Sequence, residues 1–287
     1  TPFDLEMLNT ITAGGVPRKS LNIVLAGTGV GKSLAMCHFA ADALSQGRNV
    51  LYITMEMAEE KIAERIDANL FDVDIATLKD LNKSAFVNKV KHINDKTQGK
   101  LIIKEYPTAS AHVGHFRALL NELKMKKKFT PDVIYIDYLN ICASSRMKGL
   151  GGSINTYSYI KAIAEEIRGL AVEFNVPIWS ATQSTRTGFG NTDVEITDTS
   201  ESFGLPATCD LMIALISTEQ LEAANQVMIK QLKNRYNDIS QHKRFCVGID
   251  RSKMRLYDVE ASAQTLSSDE ITSAPSAPNK DFSAFKI

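Results

Sequence analysis

Leu21-Asn22-Ile23-Val24-Leu25-Ala26-Gly27-Thr28-Gly29-Val30-Gly31-Lys32-Ser33 is an apolar run that breaks into glycines and ends in Gly-Lys-Ser. It reads as a strand, a phosphate loop and a helix start, because the run before the glycines is rich in β-branched residues and Leu34 to Leu44 has apolar residues at helical spacing. A triphosphate concentrates negative charge, so holding it requires backbone N–H groups pointing inward with no side chain in the way. Gly27, Gly29 and Gly31 provide that clearance, Thr28 and Val30 lie between them, and the following helix adds its partial positive charge. Lys32 is placed to reach the β- and γ-phosphates and the Ser33 hydroxyl to ligate Mg²⁺. Ala26 stands where the usual pattern has glycine, so the loop must tolerate one extra methyl.

Outward from this loop, Lys32 to Gln46 is a helix ended by Gly47, and Val50 to Thr54 is a second buried strand. Strand, helix and strand at this length imply a parallel sheet with a right-handed crossover. Thr54-Met55-Glu56-Met57 closes the second strand. If that strand neighbours the phosphate-loop strand, Glu56 faces the ligand crevice, where a carboxylate orients or activates the attacking water; the alternative is an ordinary helix-start acid favoured by the dipole. Val133-Ile134-Tyr135-Ile136-Asp137 is an apolar strand ending in an acid able to hold Mg²⁺ opposite Ser33. Gln183 sits just past the Val176 to Thr182 strand, as a sensor of the γ-phosphate or as a polar strand cap.

Composition narrows the field. The chain has 287 residues, 44% of them hydrophobic, enough for one large domain or two small ones. Lys+Arg and Asp+Glu balance at 33 each, so this is no polycation that binds DNA by bulk attraction. Nucleic-acid contact would have to come from a local patch, from backbone amides or from subunits assembled around the strand. The four cysteines, Cys37, Cys142, Cys209 and Cys246, have neither disulfide nor metal spacing and read as buried reduced thiols suited to a cytoplasm. His112 and His115 could share a helix face, but nothing nearby completes a metal site, and capping or packing is the plainer reading. No apolar stretch approaches membrane-spanning length.

The rest of the chain divides into 1–15, a short amphipathic docking helix; 16–260, the main domain; and 261–287, a Ser/Thr/Ala/Pro-rich tail expected to be flexible, whose Phe282, Phe285 and Ile287 form a docking peptide. Ser110 to Lys128 is a helix with a basic finish, and Ile160 to Phe174 an amphipathic one. Between strands lie two long loops. The first carries Arg146, Lys148, Gly149, Gly151 and Gly152, and the second Ser200, Glu201, Ser202 and Gly204. Glycines there would let amides approach a phosphate backbone, though long connections are as often plain surface. Leu211 to Ile216, Gln226 to Leu232, Phe245 to Ile249 and Met254 to Asp258 read as mainly antiparallel strands extending the sheet. Lys233 and Arg235 follow one of them; from the residues alone this is a surface turn.

Taken in order, the segment Phe3 to Gly15, the Gly-Lys-Ser loop, Thr54-Met55-Glu56-Met57, the strand ending in Asp137, Gln183 and Lys233-Asn234-Arg235 resemble the motor domain of DnaB-like replicative helicases, most nearly those of large tailed phages, over roughly residues 1 to 258. The resemblance implies an α/β fold of the RecA-like P-loop NTPase class, with a twisted, mainly parallel sheet flanked by helices and antiparallel strands added at its C-terminal side. It implies a homo-hexameric ring that hydrolyses ATP or another NTP with Mg²⁺ between subunits, translocates on single-stranded DNA and unwinds duplex at a fork. Lys32 and Ser33 would then hold phosphates and metal, Asp137 the metal, and Glu56 the water. Gln183 would couple the γ-phosphate to DNA-facing loops, and Lys233 and Arg235 would act in trans. The two glycine-containing loops match the family's DNA-facing positions, although relatives often carry an arginine near Ser200 that this chain lacks. Primase, a helicase loader and other replisome proteins in a host bacterial cytoplasm are the implied partners and place. An N-terminal collar domain of relatives is absent from this sequence, which starts at Thr1 without a methionine and so reads as a fragment. The competing readings are a RecA-like recombination or clock-type ATPase that does not unwind, and a nucleotide-gated scaffold.

Overall fold

Strand side chains alternate between two faces, and in this chain both faces are apolar. Leu21, Ile23 and Leu25 enter one core while Val24 and Ala26 enter the other, and the same sorting divides Leu51 and Ile53 from Val50 and Tyr52. A sheet buried on both sides has to be covered by helices on both sides. The computed structural model describes residues 1–78, 80–96, 98–146, 156–184 and 204–263. In order these form α1 (Glu6–Ile11), β1 (Leu21–Ala26), α2 (Lys32–Ser45), β2 (Val50–Thr54), α3 (Glu59–Phe71), α4 (Ile75–Leu78), α5 (Lys83–Lys96), β3 (Leu101–Glu105), α6 (Val113–Lys127), β4 (Val133–Asp137), α7 (Thr156–Phe174), β5 (Ile178–Gln183), α8 (Gly204–Thr208), β6 (Leu211–Ile216), α9 (Glu219–Ala223), β7 (Gln226–Asn234), β8 (Arg244–Asp250) and β9 (Arg255–Asp258). Residues α2 and α3 contribute, such as Leu34, Phe39, Ile62 and Ile66, lie in one core, and those of α6 and α7, such as Phe116, Leu120, Ile163 and Ile167, lie in the other.

The nine strands form one sheet in the order β3-β2-β4-β5-β1-β6-β7-β8-β9. The strands from β3 to β6 in that order run parallel, and β7, β8 and β9 are added antiparallel. Two expectations need correction. β2 is not a neighbour of β1: β5 and β6 flank it, and β4 and β5 separate the two. β6 belongs with the parallel set, pairing Asn22 with Leu211 through Ala26 with Leu215.

The first residues are part of the core. Leu8 and Ile11 of α1 are 0% and 2% exposed, and Phe3 sets its ring edge-on to Phe39 and Trp179 at 5.5 and 5.9 Å. At the start of α6, His112 accepts the Gly114 amide at 3.0 Å and His115 accepts the His112 amide at 3.2 Å. The histidine pair is therefore a helix cap, and among the described residues no cluster of three or more His, Cys, Asp or Glu could hold a metal. All four cysteines are free and buried. Among the described residues no helix is long and apolar enough to cross a membrane. Gln226 donates to the carbonyl of Ala263 at 2.8 Å, tying a 3₁₀ turn over Ala261–Ala263 to the sheet; Phe282, Phe285 and Ile287 lie outside the described residues.

Candidate nucleotide site

Parallel strands all end on the same edge of a sheet, and the connections leaving that edge face one crevice. Here β1 runs into the glycine loop. Gly29 and Gly31 adopt φ of +80° and +129°, conformations that side chains rarely accept, so the loop's path depends on glycine at these two positions. Gly31 is the N-cap of α2 and supplies no side-chain cap, which leaves first-turn amides for an anion. The Ala26 methyl points into the core on the α2 side, 2% exposed, which is how the loop accommodates it.

Gly27, Thr28, Gly29, Gly31, Lys32, Ser33, Glu56 and Gln183 line a single cleft of about 300 Å³. Ala26 pairs with Gln183, so the end of β5 delivers the amide beside the loop. Although β2 is remote from β1, Thr54 pairs with Asp137 of β4, and the Met55 amide donates to the Asp137 carbonyl at 3.0 Å. The Thr54 hydroxyl then accepts the Met57 amide at 3.1 Å and donates to the Met57 carbonyl at 2.7 Å. This turn carries Glu56, exposed, into the cleft.

Asp137 is fully buried. One carboxylate oxygen accepts the Tyr52 hydroxyl at 3.0 Å; the other, Oδ1, is the only buried side-chain N or O among the described residues with no hydrogen-bond partner. Burial raises the Asp137 pKa above the ordinary value, while Lys32, Tyr52 and Ser33 pull it down. An unpaired buried carboxylate oxygen is costly, and a hard cation with oxygen ligands relieves that cost. The residues therefore fit Mg²⁺ held between Asp137 and the Ser33 hydroxyl, with phosphates and water completing its shell. Burial lowers the Lys32 pKa and the carboxylates of Asp137 and Glu56 oppose that shift. The Lys32 ammonium rests 3.7 Å from the centre of the Tyr138 ring, a cation–π contact.

Three further lining residues were not anticipated. Arg65 was legible: Ile62, Ile66 and Asn69 are the buried face of α3, and Arg65 falls at i+3 from Ile62, a cation beside an apolar stripe. Arg251 and Met254 lie in the turn between β8 and β9, which only sheet closure brings over the loop; Arg251 donates to the carbonyls of Gly29 and Val30 at 3.3 and 3.4 Å.

Lys233 and Arg235 are not in this cleft. Leu211 pairs with Asn22 on one side and Asn234 on the other, so the antiparallel β7 ends at the start of β1. The six-residue length of β1 separates them from their own phosphate loop by roughly 17–20 Å. Arg146 ion-pairs with Glu165 at 2.8 Å, and its loop stem is held by the buried Glu166, which accepts the hydroxyls of Ser144 and Ser145, each at 2.6 Å. Gly204 is buried at the start of α8, where a Cβ would come within 3.0 Å of the Lys161 Cβ, so close packing on α7 accounts for this glycine. Lys148, Gly149, Gly151, Gly152, Ser200, Glu201 and Ser202 lie outside the described residues.

The DnaB-like helicase C terminal domain family matches residues 2–262. The chain is 45% identical over 273 residues to the DnaB-like replicative helicase of Enterobacteria phage T4, covering 94% of this chain and 57% of that protein. It is 26% identical over 218 residues to the replicative DNA helicase DnaB of Helicobacter pylori, covering 75% and 43%. The chain thus spans about half the length of the curated relatives it matches. Its fold is that of a DnaB-like replicative helicase whose interactions with primase have been described, at TM-score 0.73 and 16% identity over 90% of this chain and 62% of the other. A second solved structure, of an isolated ATPase domain, matches at TM-score 0.73 and 16% identity over 90% and 91%. A sheet with this strand order, a phosphate loop at its carboxyl edge and a family match along nearly the whole sequence lead to one assignment: the chain belongs to the DnaB-like helicase C-terminal domain family.

Proposed function

We propose that this chain is the ATP-hydrolysing motor of a replicative DNA helicase, which works as a homo-hexameric ring around single-stranded DNA. The observation that carries the reading is the convergence of Lys32, Ser33, Glu56 and Gln183 on one cleft, with the unpaired oxygen of buried Asp137 beside it. Loop amides and Lys32 bind the triphosphate, with Lys32 leaving the Tyr138 ring for the β- and γ-phosphates. Glu56 orients the attacking water and accepts its proton. Gln183 and Arg65 approach from the flanks, where an amide and a guanidinium distinguish a γ-phosphate from its absence. Mg²⁺, when held by Ser33 and Asp137, neutralises charge on the phosphate oxygens.

Because Lys233 and Arg235 end β7 on the edge of the sheet remote from their own cleft, their phosphate-directed role is assigned to a neighbouring copy, in trans. Lys148, Gly149, Gly151 and Gly152, with Ser200, Glu201 and Ser202, are the proposed DNA-facing positions; Arg146 would have to exchange Glu165 for phosphate, and Gly204 serves packing. Primase, a loader and other replisome proteins in the host bacterial cytoplasm are the proposed partners and place. Replacing Lys32 with alanine tests the reading: DNA-stimulated ATP hydrolysis and unwinding are both expected to be lost, and wild-type rates would overturn it.

A further inference from the structure

Three cations converge at the edge of the sheet opposite the nucleotide cleft. Asp210, 5% exposed, precedes β6. Arg168 of α7 donates from Nε to its Oδ2 at 3.2 Å and from a terminal nitrogen to its Oδ1 at 3.0 Å. Arg235 donates to that same Oδ1 at 2.9 Å. Oδ2 also accepts the amide of Leu21, the first residue of the strand that runs into the phosphate loop, at 3.0 Å. Lys233 Nζ donates to the carbonyls of Pro206 and Ala207 in α8. A groove of about 380 Å³ opens here, with Arg168, Val172, Ala207 and Arg235 in its wall.

A buried carboxylate left without a cation is expensive, but the Arg168 fork alone meets that need. The second guanidinium is surplus to the charge of Asp210, and at 47% side-chain exposure it is the mobile one of the set. We infer that Asp210 and Arg168 are positioning residues for Arg235: the carboxylate holds the guanidinium at the groove, and Arg168 keeps that carboxylate compensated when Arg235 turns to a phosphate on an adjoining copy. The inference rests on the trans role proposed for Arg235. Without Arg168, Arg235 becomes the sole partner of a buried charge and is held back from phosphate. Because Asp210 also grips the Leu21 amide, the seat of one subunit's arginine is fixed to the root of its own phosphate-loop strand.

The test uses mixed assemblies of the full chain, in which wild-type subunits are diluted with an excess of Lys32→Ala subunits that supply Arg235 to their neighbours. ATP turnover per wild-type subunit is compared with that for dopants carrying a second change, Arg168→Gln, Arg168→Lys or Arg235→Ala. A finger is worth about 10³–10⁵ in kcat, and mispositioning is expected to remove part of this. The Arg168→Gln dopant should lower kcat about tenfold with KM little changed, and Arg168→Lys, which restores the charge, should recover most of it. If the Arg235→Ala dopant lowers turnover and the Arg168→Gln dopant does not, the seat is overturned while the trans role stands. Should neither lower it, the trans role itself falls, and the inference with it.

Discussion

Glu56 touches the cleft from an exposed turn, so glutamine at this position preserves shape and removes only the proton acceptor. Glu56→Gln is expected to lower kcat by about 10²–10⁴ while ATP binding persists; single-turnover kinetics beside a nucleotide-binding titration separate the two, and unchanged kcat would remove Glu56 from the chemistry. A second residue-scale consequence concerns pH. Burial alone pushes the Asp67 carboxyl up to about 6. The folded state then holds this proton more tightly than the unfolded chain, so the group costs no stability below about pH 4 and becomes a full liability as pH rises through 6. Asp67→Asn should raise Tm at pH 7.5 by about 2–4 °C, or about 1 kcal/mol, and leave it almost unchanged at pH 3.5. Equal gains at both pH values would show that burial of the charge is not the cause.

At the scale of elements, α1 is the sharpest case, since its periodicity announced an amphipathic helix but not what it would cover. Leu8 is fully buried against the core that also holds Phe39 and Trp179. Leu8→Ala should therefore cost about 2–5 kcal/mol, measured by urea unfolding followed through Trp179, the chain's one tryptophan. A neutral result would mean the segment does not belong to the domain's core. The cap of α6 is smaller in scale: His112→Ala removes the acceptor for the Gly114 amide and should cost about 1 kcal/mol in the same assay. Helices and strands were largely legible because their signals are local: Ile160, Ile163, Ile167 and Leu170 repeat at helical period, and all four are buried in α7. Strand neighbours were not legible, because a parallel crossover links partners far apart in sequence. Hence β2 was expected beside β1 and lies with β4 instead.

For the whole molecule, the antiparallel course of β7 puts Lys233 and Arg235 a strand length away from the loop that binds phosphate in the same chain. If they serve an adjoining copy, turnover per subunit must depend on assembly: ATPase activity per subunit should fall on dilution through the association range, with sizing measured alongside. Activity independent of concentration, with monomers throughout, would oppose the trans role. The sequence by itself determined the strand, loop and helix around Lys32, because glycine spacing and apolar periodicity act over a few residues, and it marked acids at strand tips as candidates for metal and water. Only the tertiary structure decided which strand tips meet, that Arg65 and Arg251 enter the cleft, and that Asp210 gathers Arg168 and Arg235 at the opposite edge. The physical reason is that local conformation follows from near neighbours along the chain, whereas strand order and charge pairing are settled by burying two apolar faces at once and leaving no buried charge without a partner.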